Sequence, residues 1–436
     1  MKKIKVGLIG FGTIGTGVIK AFQHNAKLVE DRLGAKLQLL KIADLDITTS
    51  RGITVDPALL TTDIDEVIAN PEIDIVIELI GGYEPARTFV LRAIENGKHI
   101  VTANKALLAL HGEEIFSAAA RKGVDVMFEA AVGGGIPIIS SIKENLSVNT
   151  FRSIVGILNG TCNYILTCMS SEGREFADVL QDAQRKGYAE ADPTFDIDGI
   201  DTAHKLALLI ALCFGTRVSF EGIYTEGIRN ISALDIQFAR QFGYAIKLLA
   251  ISKIGYGRIE ARVHPTMIPI DHPLAEVDGV FNAIRVVGDF VGPVMFSGRG
   301  AGMDATASAV MGDVMTIART QLAGGKRRTP ALAYRPECIA DIPIKAMDDI
   351  AGQYYLRFAA IDKPGVLAQI SGVLGRYDIG IASMIQPERQ MGGSVPIVIM
   401  THEAKESNIR QALSEIDALP SIREKSHLIR IESELE

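Results

Sequence analysis

Cysteine is scarce in this chain: Cys162, Cys168, Cys213 and Cys338 are the only four in 436 residues. None stands in CxxC spacing, and no His or Cys has the spacing of zinc ligands, so a zinc site is not expected. A cationic excess is missing too, since 45 Lys and Arg face 52 Asp and Glu for a formal charge of −7. That balance argues against a nucleic-acid or anionic-membrane surface. No run of 18 apolar residues occurs, so no membrane span is expected. The first residues, MKKIKVGLIGFGTIG, pair two lysines with an apolar run, but glycines break that run and no obvious cleavage site follows. They read as a first strand entering a turn rather than a secretory signal. The cysteines are therefore expected to be reduced and the protein cytoplasmic.

Apolar residues make up 47% of the chain and charged residues 22%, a composition that suits two or three globular domains. Short apolar runs at 4–9, 37–43, 75–79, 99–102 and 124–128 alternate with helical stretches. This predicts an α/β fold, with an N-terminal Rossmann-type doubly wound parallel sheet over 1–132, completed by a helix near 303–321. The triple glycine at 133–135 opens a second domain, α+β in character, over 133–330. Residues 324–328 read as an exposed loop and 331–351 as a linker. Residues 352–436 read β-α-β-β-α-β, a separate ferredoxin-like unit.

Gly10-Phe11-Gly12-Thr13-Ile14-Gly15 follows a strand and opens a helix, the context of a dinucleotide-binding loop. Gly10 permits the tight turn, Gly12 lets backbone approach the pyrophosphate, and Gly15 lets strand and helix pack closely. Asp44 ends the second strand, where an acid bonds the ribose hydroxyls of NAD and repels a 2′-phosphate. NAD is therefore expected to serve at least as well as NADP. A solvated strand end is the competing reading of Asp44.

The densest chemistry lies in GYAEADPTFDIDGIDTAHK, residues 187–205, which holds Glu190, Asp192, Asp196, Asp198 and Asp201 ahead of Lys205. Lys205 follows Asp201 by one helical turn, so both can face one cavity. A surface salt bridge is the plain alternative, but the apolar run 206–212 offers almost no solvated face. Lys105 stands just past the carboxyl end of a parallel strand, where open α/β sheets bind ligands. An EF-hand starting at Asp192 fails, with Ile197 at the sixth position and Ala203 at the twelfth. A substrate ammonium together with a catalytic lysine is the better use of the cluster. His204 reads as a polar helix residue. Cys162, at a helix start, suggests a thiol nucleophile as an alternative, although no obvious base accompanies it and a buried structural role fits better.

With GFGTIG, VTANKALLA, EAAVGGGIPII, GILNGTCNYIL and GYAEADPTFDIDGIDTAHK in view, the chain resembles monofunctional homoserine dehydrogenases over essentially its full length. The resemblance implies NAD(P)H-dependent interconversion of L-aspartate 4-semialdehyde and L-homoserine, in threonine and methionine biosynthesis. By the matching motifs, Lys205 is the general acid/base, Lys105 assists near substrate and nicotinamide, Glu190 binds the substrate ammonium, and Asp196 and Asp201 hold substrate and lysine. Gly302 would return to the nucleotide. A structural monovalent cation, sodium, would sit near Glu129 and the carbonyls of Val132, Gly134 and Ile136. The middle domain would carry substrate binding and dimerisation, giving a homodimer or homotetramer. The C-terminal unit resembles an ACT domain, with L-threonine as the expected allosteric ligand. Ala43 stands where relatives often carry a basic residue, a departure that weakens an NADP preference. The other functions weighed are an acylating semialdehyde dehydrogenase using Cys162 and a non-catalytic nucleotide and amino-acid sensor.

Overall fold

The computed structural model describes residues 2–217, 220–325, 329–386 and 394–433. Part of the loop read at 324–328, namely 326–328, lies outside them. Two compact units divide the chain. The first comprises Met1–Ile154, His204–Phe220 and Phe281–Ile342, and the second Val155–Ala203, Glu221–Val280 and Pro343–Glu436. Among the described residues, no helix is long and apolar enough to cross a membrane.

The first unit is built on six strands: β1 (Lys3–Ile9), β2 (Lys36–Ala43), β3 (Leu60–Thr61), β4 (Ile75–Glu78), β5 (His99–Thr102) and β6 (Val126–Met127). Their order is β3-β2-β1-β4-β5-β6, and every pairing is parallel. All four residues of β4 are buried, as a strand covered on both faces requires. The order reverses between β1 and β4, which is where doubly wound sheets open a ligand crevice. Helix Met303–Leu322 contributes Val310, Val314 and Ile317 to the same core as Val6, Leu8 and Val18. It can lie against helix Thr13–His24 because Gly17 has no side chain: a Cβ there would stand 2.7 Å from Met303 Cγ.

The chain leaves the first unit within β7 (Phe151–Ile157). The strands that follow are β8 (Tyr224–Thr225), β9 (Tyr244–Gly255), β10 (Arg258–Pro269), β11 (Phe281–Gly288), β12 (Gly292–Arg299), β13 (Ala351–Ile361), β14 (Ile381–Ile385), β15 (Ser394–Thr401), β16 (Ala404–Lys405) and β17 (His427–Ile431). In the second unit the order is β9-β10-β17-β13-β15-β14, a mixed sheet. Its β10–β17 pairing is parallel, with Thr266 opposite Arg430, and the others are antiparallel.

The two units group the chain differently from the boundaries expected from sequence. Residues 352–436 do contain the elements of a βαββαβ unit, but they are not detached. β17 adds directly to β10, and 343–436 group with 155–203 and 221–280. Within the segment 331–351, Lys345 N bonds Ile259 O at 2.7 Å. Composition marks where periodicity changes. It carries no information on which distant strands pair.

Buried charge secures the second unit. Arg357, on β13, holds Asp235 through Nε–Oδ1 at 2.6 Å and Nη2–Oδ2 at 3.0 Å. Burial pushes the Asp235 carboxyl upward, yet the Arg357 bonds and charge outweigh it and hold the group below its usual range. Arg430, on β17, bonds Glu406 and reaches Glu226 at 2.7 Å. His264 lies beside these groups with no exposed surface. Burial, then the charges of Arg430 and Arg262, hold its pKa well below the ordinary 6.5.

The sign follows from linkage. Below pH 6.5 the unfolded chain binds a proton at His264 that the folded chain refuses, so this contribution to stability is present above 6.5 and is lost as pH falls. The expected loss is up to about 1.4 kcal/mol per pH unit for one such group. Urea midpoints at pH 7.5 and 5.5 check it. The acid shift should shrink in a His264→Gln variant, and an unchanged shift would remove His264 as its cause.

Candidate active site

The glycine loop meets the geometric demands of a dinucleotide. Gly10 turns at φ +100°, and a Cβ on it would lie 2.7 Å from the Leu79 carbonyl carbon. A Cβ on Gly15 would lie 2.1 Å from the Gly10 oxygen, so no other residue fits. Gly12 has nothing within 4 Å of its Cβ position, which leaves that backbone open to approach. Helix Thr13–His24 begins there with no acidic residue in its first turn and no side-chain cap. Uncapped N–H groups and the helix dipole favour an anion such as a pyrophosphate.

Asp44 does more than end β2. One carboxylate oxygen accepts from Phe11 N and the other from Asp46 N at 2.9 Å. The acid thus braces the glycine loop. Sequence reading found no basic residue immediately beside Asp44. The fold places the Arg51 guanidinium 4.4 Å from the centre of the Phe11 ring, within the same loop system. Arg51 is kept there by bonds to the carbonyls of Thr49 and Asp46, both 2.6 Å. No periodicity signals such a contact across forty residues.

Lys105 is the first residue of helix Lys105–Lys122, half-buried and directly beyond β5. Lys205 lies on helix Ile200–Phe214 and is 8% exposed, one turn after Asp201 at 3%. That burial removes the surface salt bridge as a reading of the pair. His204 is fully buried, with its ring 4.3 Å from that of Phe220, so it belongs to a core rather than to a polar helix face.

Asp196 and Asp201 converge on one residue that sequence reading passed over. Asn159 Nδ2 donates to Asp196 Oδ1 at 2.8 Å and to Asp201 Oδ2 at 2.9 Å. Its Oδ1 caps helix Gly160–Glu172 by accepting from Cys162 N at 2.8 Å. The signal was available in Asn159-Gly160-Thr161, an N-cap residue before an apolar helix. Thr161 Oγ1 stands 2.8 Å from Tyr188 O and 2.9 Å from Asp196 Oδ2, with one proton for the two acceptors. Cys162 Sγ donates to Asp196 O at 3.2 Å from a fully buried position, a structural role rather than that of an exposed thiolate.

The other acids separate. Asp192 accepts from Thr194 N at 3.1 Å, Asp198 pairs with Arg229, and the exposed Glu190 makes no ion pair among the described residues. Glu129 is buried, and its two oxygens accept from Ile139 N at 2.8 Å and Ser140 N at 2.7 Å. Burial pushes its carboxyl upward against those bonds and the charge of Lys143. Beyond it, a Cβ on Gly134 would lie 2.5 Å from Gly300 O, and the Ile136 carbonyl already accepts from Ile138 N at 2.8 Å. Gly302 takes φ +115° as it opens helix Met303–Leu322.

A parallel sheet with this glycine loop, and a lysine at the end of a neighbouring strand, define an NAD(P)-dependent oxidoreductase. Residues 10–129 match the family described as homoserine dehydrogenase, NAD binding domain, and residues 137–315 match that described as homoserine dehydrogenase. The homoserine dehydrogenase of Pseudomonas aeruginosa is 45% identical over 99% of both chains, and that of Corynebacterium glutamicum 41% identical over 98% of this chain and 96% of its own. The crystal structure of a homoserine dehydrogenase from Thiobacillus denitrificans superposes with a TM-score of 0.94, at 47% identity over 99% of both chains. A hyperthermophilic archaeal homoserine dehydrogenase in complex with NADPH gives a TM-score of 0.62, at 25% identity, over 74% of this chain and all of its own. The chain belongs to the homoserine dehydrogenase family.

The Asn159 geometry makes a testable statement. An Asn159→Ala variant loses a helix cap and leaves two carboxylates without their shared donor. The expected destabilisation is about 1–3 kcal/mol, measured by urea unfolding. The kcat/KM for homoserine should fall with it, and a stability and activity equal to the parent protein would refute the role given to this amide.

Proposed function

We propose that the protein catalyses reversible, NAD(P)H-dependent reduction of L-aspartate 4-semialdehyde to L-homoserine. The observation that carries this reading is Lys205, a buried lysine one turn after the buried Asp201. A nicotinamide cofactor, when bound, supplies or accepts the hydride. The chain must then hold a proton donor at the substrate oxygen. Lys205 gives its proton to that oxygen as the aldehyde is reduced and takes it back in the oxidative direction. Asp201 and Asp196, fixed by Asn159, orient substrate and lysine. Glu190, exposed and without an ion pair among the described residues, is available to the substrate ammonium. Lys105 assists at the end of β5.

Further parts of the reading rest on the family resemblance. A structural monovalent cation, sodium, is assigned to Glu129 with the carbonyls of Val132, Gly134 and Ile136. The fit is reasonable, because a buried carboxylate gains from a cation and carbonyl oxygens suit a hard one. NAD is assigned use at least equal to NADP through Asp44, while the archaeal relative in complex with NADPH supports NADPH as a cofactor as well. The C-terminal βαββαβ segment is assigned to ACT-type regulation by L-threonine, and the assembly to a homodimer or homotetramer. A thiol-nucleophile mechanism is disfavoured by the burial of Cys162.

The test is a spectrophotometric assay with homoserine, run with NAD and NADP in parallel and with and without threonine. Lys205→Ala should lower kcat about 10²- to 10⁴-fold, the usual contribution of a positioned acid/base. Near-normal kcat with an unchanged pH profile would sink the assignment. Threonine inhibition should be sought on the full chain, because removing 352–436 would also strip β17 from β10. Absence of inhibition at any threonine concentration would end the regulatory reading.

A further inference from the structure

Glu78 ends β4 with no exposed surface, and no step assigned so far uses it. A carboxylate is costly to bury, and a strand end in a parallel sheet is more cheaply filled by an apolar side chain. The bonds around Glu78 show what it holds. One oxygen accepts from Ile80 N at 2.9 Å and Gly81 N at 3.3 Å, in the loop after β4. The other accepts from the Thr102 hydroxyl at 2.6 Å, at the end of the neighbouring β5.

Proton counting fixes the sense of the next bond. The Thr102 hydroxyl spends its one proton on Glu78, so it acts as acceptor toward Asn104 N, at 2.9 Å. Asn104 then caps helix Lys105–Lys122 through Leu107 N at 3.1 Å. Its Nδ2 turns back to Gly82 O at 2.7 Å, in the loop where the series began. The loop after β4 and the start of the helix after β5 are thus closed into one hydrogen-bonded ring, with Glu78 as its acidic member. Lys105 is the first residue of that helix. The loop after β4 also abuts the glycine loop, because Gly10 passes close to Leu79 and Ile80 N. Burial pushes the Glu78 carboxyl upward, and the bonds from Thr102, Ile80 and Gly81 oppose this.

We propose that Glu78 is a positioning residue for Lys105: through Thr102 and Asn104 its buried carboxylate fixes the loop after β4 and the helix start that carries this lysine. The proposal rests on the reading that Lys105 assists the reaction.

The experiment is a double-mutant cycle with homoserine as substrate, using Glu78→Gln, Thr102→Val and Lys105→Ala in the full chain. Glu78→Gln is expected to lower kcat tenfold or more. Added to Lys105→Ala, it should cause no further loss, because a residue acting through Lys105 has nothing left to position. Amide exchange at 80–82 and 104–107, read in the ligand-free protein, should accelerate tenfold or more. Should Glu78→Gln fail to fold, Thr102→Val removes only the linking hydroxyl and should show the same non-additivity. Losses that multiply in the double variant overturn the proposal, as does unchanged kcat with unchanged exchange. Full activity in Lys105→Ala alone overturns the catalytic reading of Lys105 and this proposal with it. A normal Lys105 effect with multiplying losses overturns only this proposal.

Discussion

One amide group carries much of the arrangement in the acidic turn. Asn159 Nδ2 has two protons, and it gives one to Asp196 and one to Asp201. Two carboxylates drawn to one point repel each other unless such donors lie between them. A hydrogen bond to a charged acceptor is worth roughly 1.5–3 kcal/mol, so the pair of bonds matters on the scale of total stability. Asp201 in turn lies in the first turn of helix Ile200–Phe214. Because Asn159 is itself a helix cap, its amide cannot swing away without also exposing Cys162 N.

The first unit applies a different constraint, which is contact between backbones. Gly15 against Gly10, Gly10 against Leu79 and Gly17 against Met303 each leave no room for a Cβ. These contacts pull helix Thr13–His24 onto the sheet and bring helix Met303–Leu322 onto it in turn. Packing this tight transmits position without polar bonds. Asp44 and Glu78 then supply the polar bonds where packing stops, at the carboxyl ends of β2 and β4. Both use a carboxylate to collect backbone N–H groups from a loop that has no ladder partner.

The parallel sheet, the glycine loop and the acidic run before Lys205 were legible in the sequence because each is local. Buried strands, a turn and a helix start leave their marks within ten residues. Asn159 was legible as a cap but not as the partner of Asp196 and Asp201, since nothing in its neighbourhood names residues about forty positions away. Arg51 over Phe11 escaped for the same reason. The grouping into these two units was not legible. A chain that leaves a unit at Ile154, re-enters at His204 and leaves again after Phe220 defeats any boundary drawn from composition. Strand β17 completes the point, because its partner β10 lies more than 150 residues earlier.

That partnership ties the C-terminal strands to the acidic turn. From β17, main-chain pairing leads to β10, and from β10 to β8 through Arg262–Tyr224 and Val263–Thr225. Two residues past β8, a Cβ on Gly227 would lie 2.1 Å from Ile197 O, and Ile228 N donates to that same oxygen at 2.9 Å. Arg229 follows and pairs with Asp198. The C-terminal strands and the acidic turn are therefore joined by unbroken backbone contacts rather than by a flexible tether. The Arg430 cluster with Glu406, Glu226 and Tyr224 adds polar bonds along that path, because it spans β17, the helix Glu406–Asp417 and β8. Breaking one partner of such a buried set costs several kcal/mol, so the cluster holds these elements in one arrangement.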